Sequence, residues 1–432
     1  MRVSLFQGIL IGVFALGAVV GLFVFATYTS TGGDTTAGPV LIWGTLPQED
    51  IEAALRAVVQ TDTALKDVTY EEKEASTLAG ELAAAIATGA APDLILASQE
   101  ELHALAKFIT PLSPGALSAK TFTGTFVDGA RVFASANGYY GIPLLVDPLI
   151  LFYNRSILAS SGIALPPATW EGLTGLVPRV AVLSPTRQIT RGLIALGTYA
   201  NVRNARSILS TLFFQTGVPL SAYSSTGVLG ANLGTSREQG APPGEAVLSF
   251  YTQFADPAKV SYTWNASLPN SQQTFLVGDL ALYLGHVSEA RYLRSANPNL
   301  NFATALVPQP GTATTKNVYG RIYALMIPRG AKNAVGAFRT AALLSNPVPQ
   351  AIVAGALGLA PANLNVLGSP PADPLAAVAY EEALYTRGWL SPAALNTDAV
   401  FSSMITNVIS GRLTLESALV SAESALTALL QQ

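Results

Sequence analysis

The sequence predicts a two-lobed α/β protein that follows a single N-terminal transmembrane helix. Three observations support this fold class. The chain has 432 residues, which exceeds the size at which one hydrophobic core keeps growing. Patterns of buried strands alternate with patterns of amphipathic helices along most of its length. An uncharged apolar run covers residues 3–26.

The apolar run reads VSLFQGILIGVFALGAVVGLFVFA from Val3 to Ala26. It is long enough to cross about 30 Å of hydrocarbon as a helix. Arg2 precedes it and the following flank carries only Asp34, which favours a cytoplasmic N-terminus with the rest of the chain outside. The alternative is a signal peptide cleaved after Ala26, but the run is longer than the usual ~7–15 residue core of such peptides. In both cases the domain is exported, and residues 27–39 form a flexible polar linker.

The charge balance and the absence of cysteine exclude several classes of function. The chain has 24 basic and 27 acidic residues and a net charge of −3, and no basic cluster is long enough to follow a phosphate backbone. Nucleic acid is therefore excluded as a partner. Without cysteine the chain has no disulfides, no thiolate metal site and no lipid-modified cysteine.

The sequence also carries no catalytic signature. It contains no HExxH, GxSxG, Walker-type or GxGxxG motif, and no pair of acids suited to glycoside hydrolysis can be nominated. Only two histidines are present, His103 and His286, and they lie far apart, which excludes a His-rich metal site. We interpret His103 as a surface or packing residue, and we expect neither enzyme activity nor a cofactor.

The first part of the domain alternates strand and helix. A buried strand over residues 40–43 precedes a helix with apolar residues at helical spacing from Ile51 to Val58. A second helix, over residues 78–86, precedes a buried strand over 92–96. Ser98 and Glu101 then form a capping box that opens a third helix. Because ligands of open α/β sheets bind at the carboxyl ends of strands, Ser98 and Gln99 become candidate ligand contacts.

In the middle of the chain, two apolar strand patterns, 144–146 and 149–152, meet at a break marked by Asp147 and Pro148. A helix over residues 155–161 follows, and Thr169 caps the next one. Further helical patterns are predicted at residues 205–214, 247–254, 271–276 and 334–344, with a C-terminal pair over 398–430.

The order and spacing of these segments resemble the extracellular solute-binding proteins of ABC importers, in the maltose-binding-protein-like family 1. The resemblance covers nearly everything after the linker. Its best segments are LIWGTLPQEDIEAAL, GAAPDLILAS, YYGIPLLVDPLILFYNRSILASSGIALPPATWEGL, FLVGDLALYLGHVSEARYLRSANPNLNFATALVPQP and GRIYALMIPRGAKNAVGAFRTAALLSNPVPQ.

The resemblance implies a periplasmic-binding-protein type II-like fold with two discontinuous lobes. By this analogy the first lobe takes residues 40–146 and 307–345, and the second takes 150–304 and 350–432. The hinge is expected near residues 146–150, with Asp147-Pro148 as the pivot, and the lobes close around solute. The implied partners are a small solute, with a sugar as the expected class, and the permease and ATPase subunits of an importer. The protein is expected to be a monomer.

Two departures from the family pattern affect the predicted role. The lipid-attachment cysteine common in such proteins is missing, so the uncleaved helix is the natural anchor. Where relatives carry an Asn-Gly-Pro-Trp-like loop, this chain has Leu284-Gly285-His286-Val287. We expect His286 to contact solute in place of an aromatic side chain, which leaves the identity of the sugar open.

Carbohydrate sites use flat apolar faces and planar polar groups, so aromatic and polar loop residues are the expected contacts. The predicted ligand contacts are Trp43, Ser98, Gln99, Asp147, Trp264, His286, Arg321 and Trp389. Weaker candidates are Tyr199, Tyr283 and Tyr323. The alternative is that the tryptophans only pack, Ser98 only caps, Asp147 only forms a turn and Arg321 is a solvated strand end. Trp170, at a helix start, is interpreted as structural.

The functional prediction is a membrane-anchored extracytoplasmic protein that delivers a small solute, a carbohydrate or oligosaccharide, to an ABC importer. The alternative is a tethered sensor or surface-attachment module with the same fold and no transport role. Peptides, polyols and polyamines are solutes of relatives with similar lobes. Few acidic residues lie on the candidate loops, which disfavours polyamines.

Overall fold

The computed structural model describes residues 36–236 and 242–432. The predicted transmembrane segment, residues 3–26, and most of the linker lie outside the described residues. Among the helices that are described, none combines the length and the apolar character needed to cross a bilayer.

The strands are β1 (Val40–Gly44), β2 (Val68–Glu72), β3 (Leu94–Ser98), β4 (Ala134–Ser135), β5 (Gly138–Tyr139), β6 (Gly141–Asn154), β7 (Val182–Leu183), β8 (Ile189–Ile194), β9 (Leu220–Tyr223), β10 (Leu229–Asn232), β11 (Leu280–His286), β12 (Phe302–Ala305), β13 (Val318–Met326), β14 (Ala360–Pro361) and β15 (Thr386–Arg387). The α-helices of the described residues are α1 (Gln48–Val59), α2 (Leu78–Ala87), α3 (Gln99–Leu105), α4 (Ala119–Thr125), α5 (Arg155–Ser160), α6 (Trp170–Thr174), α7 (Val177–Val180), α8 (Ala205–Gln215), α9 (Pro243–Thr252), α10 (Ser271–Leu276), α11 (Glu289–Ala296), α12 (Ala334–Leu344), α13 (Pro347–Leu357), α14 (Leu364–Leu367), α15 (Pro374–Tyr385), α16 (Ala394–Ile409) and α17 (Leu415–Leu430).

Several helices confirm the sequence prediction closely. α10 and α12 have the predicted bounds, and α1 buries Ile51, Ala54, Leu55 and Val58 along one face. The last helical pair begins at Ala394, earlier than the predicted start at Asp398. Ala393 is the N-cap residue of this helix, and Pro392 lies outside it.

One mixed sheet carries the fold, with the strand order β2-β1-β3-β13-β6-β11-β8-β7. β1, β2 and β3 are parallel, β13 is antiparallel to β3 and β6, and β11 is antiparallel to β6 and parallel to β8. The short strands β12 and β14 also pair with β6, and β15 pairs with β13. Parallel strands joined through helices give a sheet that is covered on its faces, which agrees with the nearly continuous burial of β3, β6 and β11.

β6 joins the two halves of this sheet, and all of its 14 residues are buried. Residues 141–148 pair with β13, and residues 149–153 pair with β11. The predicted break at Asp147-Pro148 is therefore wrong, because the strand continues through it. The missing N–H of Pro148 falls where the ladder changes partner, and its carbonyl accepts a hydrogen bond from Val287 N at 3.0 Å.

The carboxyl ends of the two sets of strands meet near the middle of β6. Ser98, the last residue of β3, lies opposite Tyr323 of β13, which lies opposite Leu145 of β6. His286, the last residue of β11, lies opposite Leu149 of β6. Because β3 and β11 approach this point from opposite directions, the loops that follow them converge beside Asp147 and Pro148. The predicted lobe boundaries and the hinge remain predictions.

Candidate functional site

A cluster of polar side chains fills the place where these strand ends converge. Its members come from β6, β11, β13, the first turns of α3 and α8, and the second turn of α16. We call it the strand-end cluster, and it consists of Gln99, Glu100, Asp147, Arg206, His286, Tyr319, Arg321 and Asp398.

Glu100 is the central carboxylate of the cluster and is 9% exposed. It accepts a hydrogen bond from the Tyr319 hydroxyl. Arg206 Nη1 lies 3.3 Å from Glu100 Oε1, and Arg321 Nε lies 3.4 Å from Glu100 Oε2. Burial by itself raises the pKa of Glu100, but the guanidinium groups of Arg206 and Arg321 outweigh it and lower the pKa to about 2. Glu100 is therefore a buried anion shared by two arginines.

Asp147 is held in one position by the residues that follow β11. Its Oδ1 accepts from Ser288 N at 3.0 Å, and its Oδ2 accepts from Ser288 Oγ at 2.8 Å and from Arg321 Nη1 at 3.3 Å. The turn interpretation, in which Asp147 bonds its own neighbouring backbone, does not describe these contacts. The carboxylate instead links β6 to Ser288, which follows β11, and to Arg321 of β13 through hydrogen bonds.

His286 is buried, and its ring joins β6 to α8. Nδ1 lies 3.0 Å from the carbonyl oxygen of Asp147, and Nε2 lies 2.9 Å from Ser207 Oγ. Because a carbonyl oxygen only accepts, Nδ1 carries the proton and Nε2 accepts from the hydroxyl. Burial, followed by the positive charge of Arg321, lowers the pKa of His286, so the ring is neutral.

Arg206 and Asp398 also belong to the cluster, and no sequence motif points to either of them. Arg206 Nε lies 3.3 Å from Asp398 Oδ1, and the Tyr199 hydroxyl donates to the same oxygen at 2.5 Å. Tyr199, a weaker candidate, is thus brought to the edge of the cluster. One signal was available for Arg206: it lies in the first turn of α8, where a cation opposes the helix dipole and needs a nearby anion.

Gln99 and Ser98 both make structural hydrogen bonds at the end of β3. The Gln99 side chain accepts from Ile322 N at 2.7 Å and donates to Gly320 O at 3.1 Å. It therefore extends the ladder between β3 and β13 beyond the end of β3. Ser98 and Glu101 form the predicted capping box, which confirms that interpretation.

The predicted tryptophans do not form an aromatic surface in the cluster. Trp43 is buried against Lys73, whose Nζ lies 4.1 Å from its ring centre. Trp264 is fully buried and donates to Asn201 Oδ1 at 3.2 Å. Trp389 is 3% exposed and donates to Ser210 Oγ at 3.3 Å. Each of these rings packs in the interior, and contact of any of them with solute remains a prediction.

The remaining aromatic candidates, Tyr283 and Tyr323, are also buried in the interior of the protein. The Tyr283 hydroxyl donates to Glu289, and Tyr323 is buried on β13 opposite Ser98. Trp170 is buried and donates to Gln215 Oε1 at 2.7 Å, which agrees with its structural interpretation.

Within the described residues, no group of three or more His, Cys, Asp and Glu side chains could hold a metal ion. His103 lies outside the cluster, with Nε2 3.0 Å from the carbonyl oxygen of Leu430. Two surface cavities, of about 710 Å³ and 480 Å³, also lie elsewhere. The larger is lined mainly by apolar side chains around Trp170 and Phe250, and the smaller surrounds Gly192 and Val277.

The partly buried carboxyl group of Glu101 gives the stability of the protein a dependence on pH. Burial, followed by the charge of Glu100, raises the pKa of Glu101 to about 7. A raised carboxyl pKa contributes stability that is present at acidic pH and is lost as pH rises through the folded-state value. The free energy of unfolding should therefore lose about 2 kcal/mol from this group between roughly pH 5 and pH 8.

Glu101→Gln removes this titrating group while keeping a side chain that can accept the capping hydrogen bond. Denaturant unfolding at several pH values should show a smaller loss of stability toward alkaline pH in the variant than in the wild type. Glu382, whose pKa burial also raises, supplies the part that remains. Equal losses in both proteins would contradict a raised pKa at Glu101.

The comparisons with known proteins agree on one family. Residues 56–378, more than half of the chain, match the family model described as bacterial extracellular solute-binding protein. No curated protein matches the sequence at a significant level.

Solved structures show the same fold. A cyclo/maltodextrin-binding protein complexed with maltotetraose is 15% identical, with a TM-score of 0.73 over 93% of this chain and 99% of that chain. The cyclic alpha-maltosyl-1,6-maltose binding protein from Arthrobacter globiformis is 18% identical, with a TM-score of 0.70 over 91% of this chain and 100% of that chain. The GacH receptor of Streptomyces glaucescens is 17% identical, with a TM-score of 0.66 over 91% of this chain and 99% of that chain. With its family model matched across most of its length and its fold shared with these proteins, the chain belongs to the bacterial extracellular solute-binding proteins.

Proposed function

We propose that this protein is a membrane-anchored extracytoplasmic solute-binding protein that captures a small carbohydrate and delivers it to the permease and ATPase of an ABC importer. The observation that carries the proposal is the strand-end cluster, in which carboxylates and guanidinium groups alternate where the ends of two sets of strands meet. Sugar hydroxyls both donate and accept hydrogen bonds. Glu100 and Asp147 would accept from such hydroxyls, and Arg206 and Arg321 would donate to them.

The charges of the cluster suit a neutral solute. Three carboxylates, of Glu100, Asp147 and Asp398, accompany the guanidinium groups of Arg206 and Arg321. Each cation already lies beside two carboxylates, so a solute anion would meet more negative than positive charge. The solved structure bound to maltotetraose supports a carbohydrate by analogy of fold alone.

The proposed function also includes a membrane anchor at the N-terminus and a hinge motion within β6. The uncharged run at residues 3–26 would hold the domain at the membrane, and the linker would leave it free to meet a permease. β6 crosses from one half of the sheet to the other, and a bend near Asp147-Pro148 would move these halves as lobes around the solute.

A second function, a tethered sensor or surface-attachment module, is favoured by one observation. The charged groups of the cluster are all paired with each other, and Trp43, Trp264 and Trp389 are buried. A site that is already satisfied and lacks an exposed tryptophan would suit a protein that kept the fold without transport.

Thermal unfolding of the full chain against a panel of sugars, oligosaccharides, polyols, peptides and polyamines distinguishes these functions. A solute at 100 times its dissociation constant should stabilise the protein by about 2.7 kcal/mol. Asp147→Asn should abolish this stabilisation because it removes the buried carboxylate that would accept from solute. Asp67→Asn makes the same chemical change at an exposed position and should leave the stabilisation intact.

A neutral sugar that stabilises the wild type and the Asp67→Asn control, but not Asp147→Asn, would support the proposed function. If no solute of the panel stabilises a folded wild-type protein, the carbohydrate-delivery function is contradicted and the tethered module becomes the better account.

A further inference from the structure

We propose that a polar cavity at the far end of β6, distant from the strand-end cluster, binds a small polyhydroxylated carboxylic acid, such as a sugar acid, through Tyr153, Arg155 and Arg294. This second ligand site goes beyond the proposed function, because it requires neither the capture nor the delivery of a solute by the strand-end cluster.

The cavity has a volume of about 680 Å³ and lies where the end of β6 meets β12, α11 and the start of α15. Tyr153 of β6 pairs with Ala303 of β12, and both residues line the cavity. Tyr153 follows Asp147 within the same continuous strand, and the six residues between these positions span about 20 Å. Among the described residues that line the cavity, none belongs to the strand-end cluster.

Tyr153 supplies a buried hydrogen-bond donor that the protein itself does not use. The residue is 6% exposed and lines the cavity. Within the part of the chain that the structure describes, its hydroxyl has no hydrogen-bond partner, although it is not sealed off from solvent. Polar groups of buried side chains are normally hydrogen-bonded. The Tyr153 hydroxyl is therefore available to a ligand in the cavity.

Two arginines make the cavity positively charged. Arg155 is the first residue of α5, and its guanidinium has no ionic partner among the described residues. Arg294, in the last turn of α11, has its Nη2 4.0 Å from Asp373 Oδ1, and both of these side chains are more than half exposed. Two cations and one anion give a net charge of +1. This charge suits a ligand with one carboxylate, which a guanidinium can bind through two parallel hydrogen bonds.

The rest of the lining suits hydroxyl groups next to that carboxylate. Asp373 is the N-cap residue of α15 and accepts from Ala376 N at 3.0 Å, and Leu375 of the first turn lines the cavity. The first turn of a helix carries partial positive charge, which adds to the attraction for an anion. Asn299 and Asn301 also line the cavity, and their amide groups can donate to hydroxyls and accept from them.

Isothermal titration of the full chain with D-gluconate tests this site. We expect a dissociation constant of about 1 mM or tighter, and binding that weakens as salt is added, because the arginines are exposed. D-glucitol has the hydroxyls without the charge, and acetate has the charge without the hydroxyls. Each of them should bind at least about tenfold more weakly than gluconate.

Two variants remove the groups that would hold the ligand. Tyr153→Phe keeps the ring and removes only the hydroxyl, so it should weaken gluconate binding about fivefold without lowering the melting temperature. Arg155→Gln should weaken binding about tenfold. Arg329→Gln is the matched control: Arg329 lies between β13 and α12, is exposed, and its side chain also has no partner among the described residues. It should leave the affinity unchanged.

Asp373→Asn is expected to change the affinity in the opposite direction. Asparagine caps helices about as well as aspartate, so α15 should stay intact. Removing the carboxylate raises the net charge of the cavity from +1 to +2, and gluconate should bind about threefold more tightly. Weaker binding in this variant would contradict the role assigned to charge.

The inference is overturned if gluconate binds no more tightly than D-glucitol, or if Tyr153→Phe and Arg155→Gln bind it as the wild type does. It is also overturned if Asp147→Asn abolishes gluconate binding while Tyr153→Phe keeps it, because the ligand then lies in the strand-end cluster. Failure at this cavity leaves the proposed function unaffected, since that function is tested by neutral sugars and by Asp147→Asn.

Discussion

Glu100→Gln is expected to lower the free energy of unfolding by about 3 kcal/mol. The substitution keeps the shape of the side chain but removes the charge that Arg206 and Arg321 share. Removing one partner of a buried ion pair leaves the others without compensation, which costs about 3–5 kcal/mol in typical cases. The lower end applies here because Asp398 and Asp147 remain beside the two arginines. Urea unfolding with linear extrapolation measures the change.

Glu52→Gln is the control for this prediction. Glu52 pairs with Arg56 one turn away on the exposed face of α1, and such surface pairs contribute about 0.5 kcal/mol or less. A double-mutant cycle with Arg206→Met then isolates the contact. The double variant should lose less stability than the sum of the single variants, because each single variant already removes the Glu100–Arg206 contact. Additive losses would show that Glu100 and Arg206 do not interact.

Trp264→Ala is expected to destabilise the protein by about 3–5 kcal/mol without changing the affinity for solute. Its ring is fully buried beside Gly192 of β8, and its indole N–H donates to Asn201. Removing it leaves a large cavity and takes one donor from Asn201 Oδ1. Denaturant unfolding gives the stability, and a solute titration well below the melting temperature gives the affinity of the folded fraction.

Leu395→Ala provides the comparison for a hydrophobic side chain outside the core. Leu395 is 76% exposed, so its truncation should change stability by less than about 0.5 kcal/mol. If Trp264→Ala instead keeps its stability and loses solute binding, the ring is a ligand contact, as its sequence context predicts.

The sequence predicts where in the fold the candidate site lies, but it does not predict all of the residues that form it. Sequence context and family resemblance predict Asp147, His286 and Arg321 as ligand contacts, and these three residues lie together in the strand-end cluster. Arg206 and Asp398 could not be predicted, because each is a single charge on a helix and no residue near it in sequence reveals its partner. Their partners become visible only when α3, α8 and α16 are placed around the same point.

The continuity of β6 illustrates the same limit. Proline and aspartate together usually mark a turn, so the sequence predicts a break at Asp147-Pro148. The strand runs through both residues because β13 supplies the partners before this point and β11 supplies them after it. Which neighbour a strand has at each position depends on residues far away in the chain.

By itself, the sequence determined the alternation of strands and helices, the capping box at Ser98 and the bounds of α10 and α12. These features depend on residues within a few positions of each other, so local spacing is enough to specify them. Only the tertiary structure decided that the tryptophans are buried, that β6 is continuous and that Glu100 lies between Arg206 and Arg321. Burial and ionic partners depend on which distant segments pack together, because a side chain's environment is set by the register of the sheet and not by its neighbours in sequence.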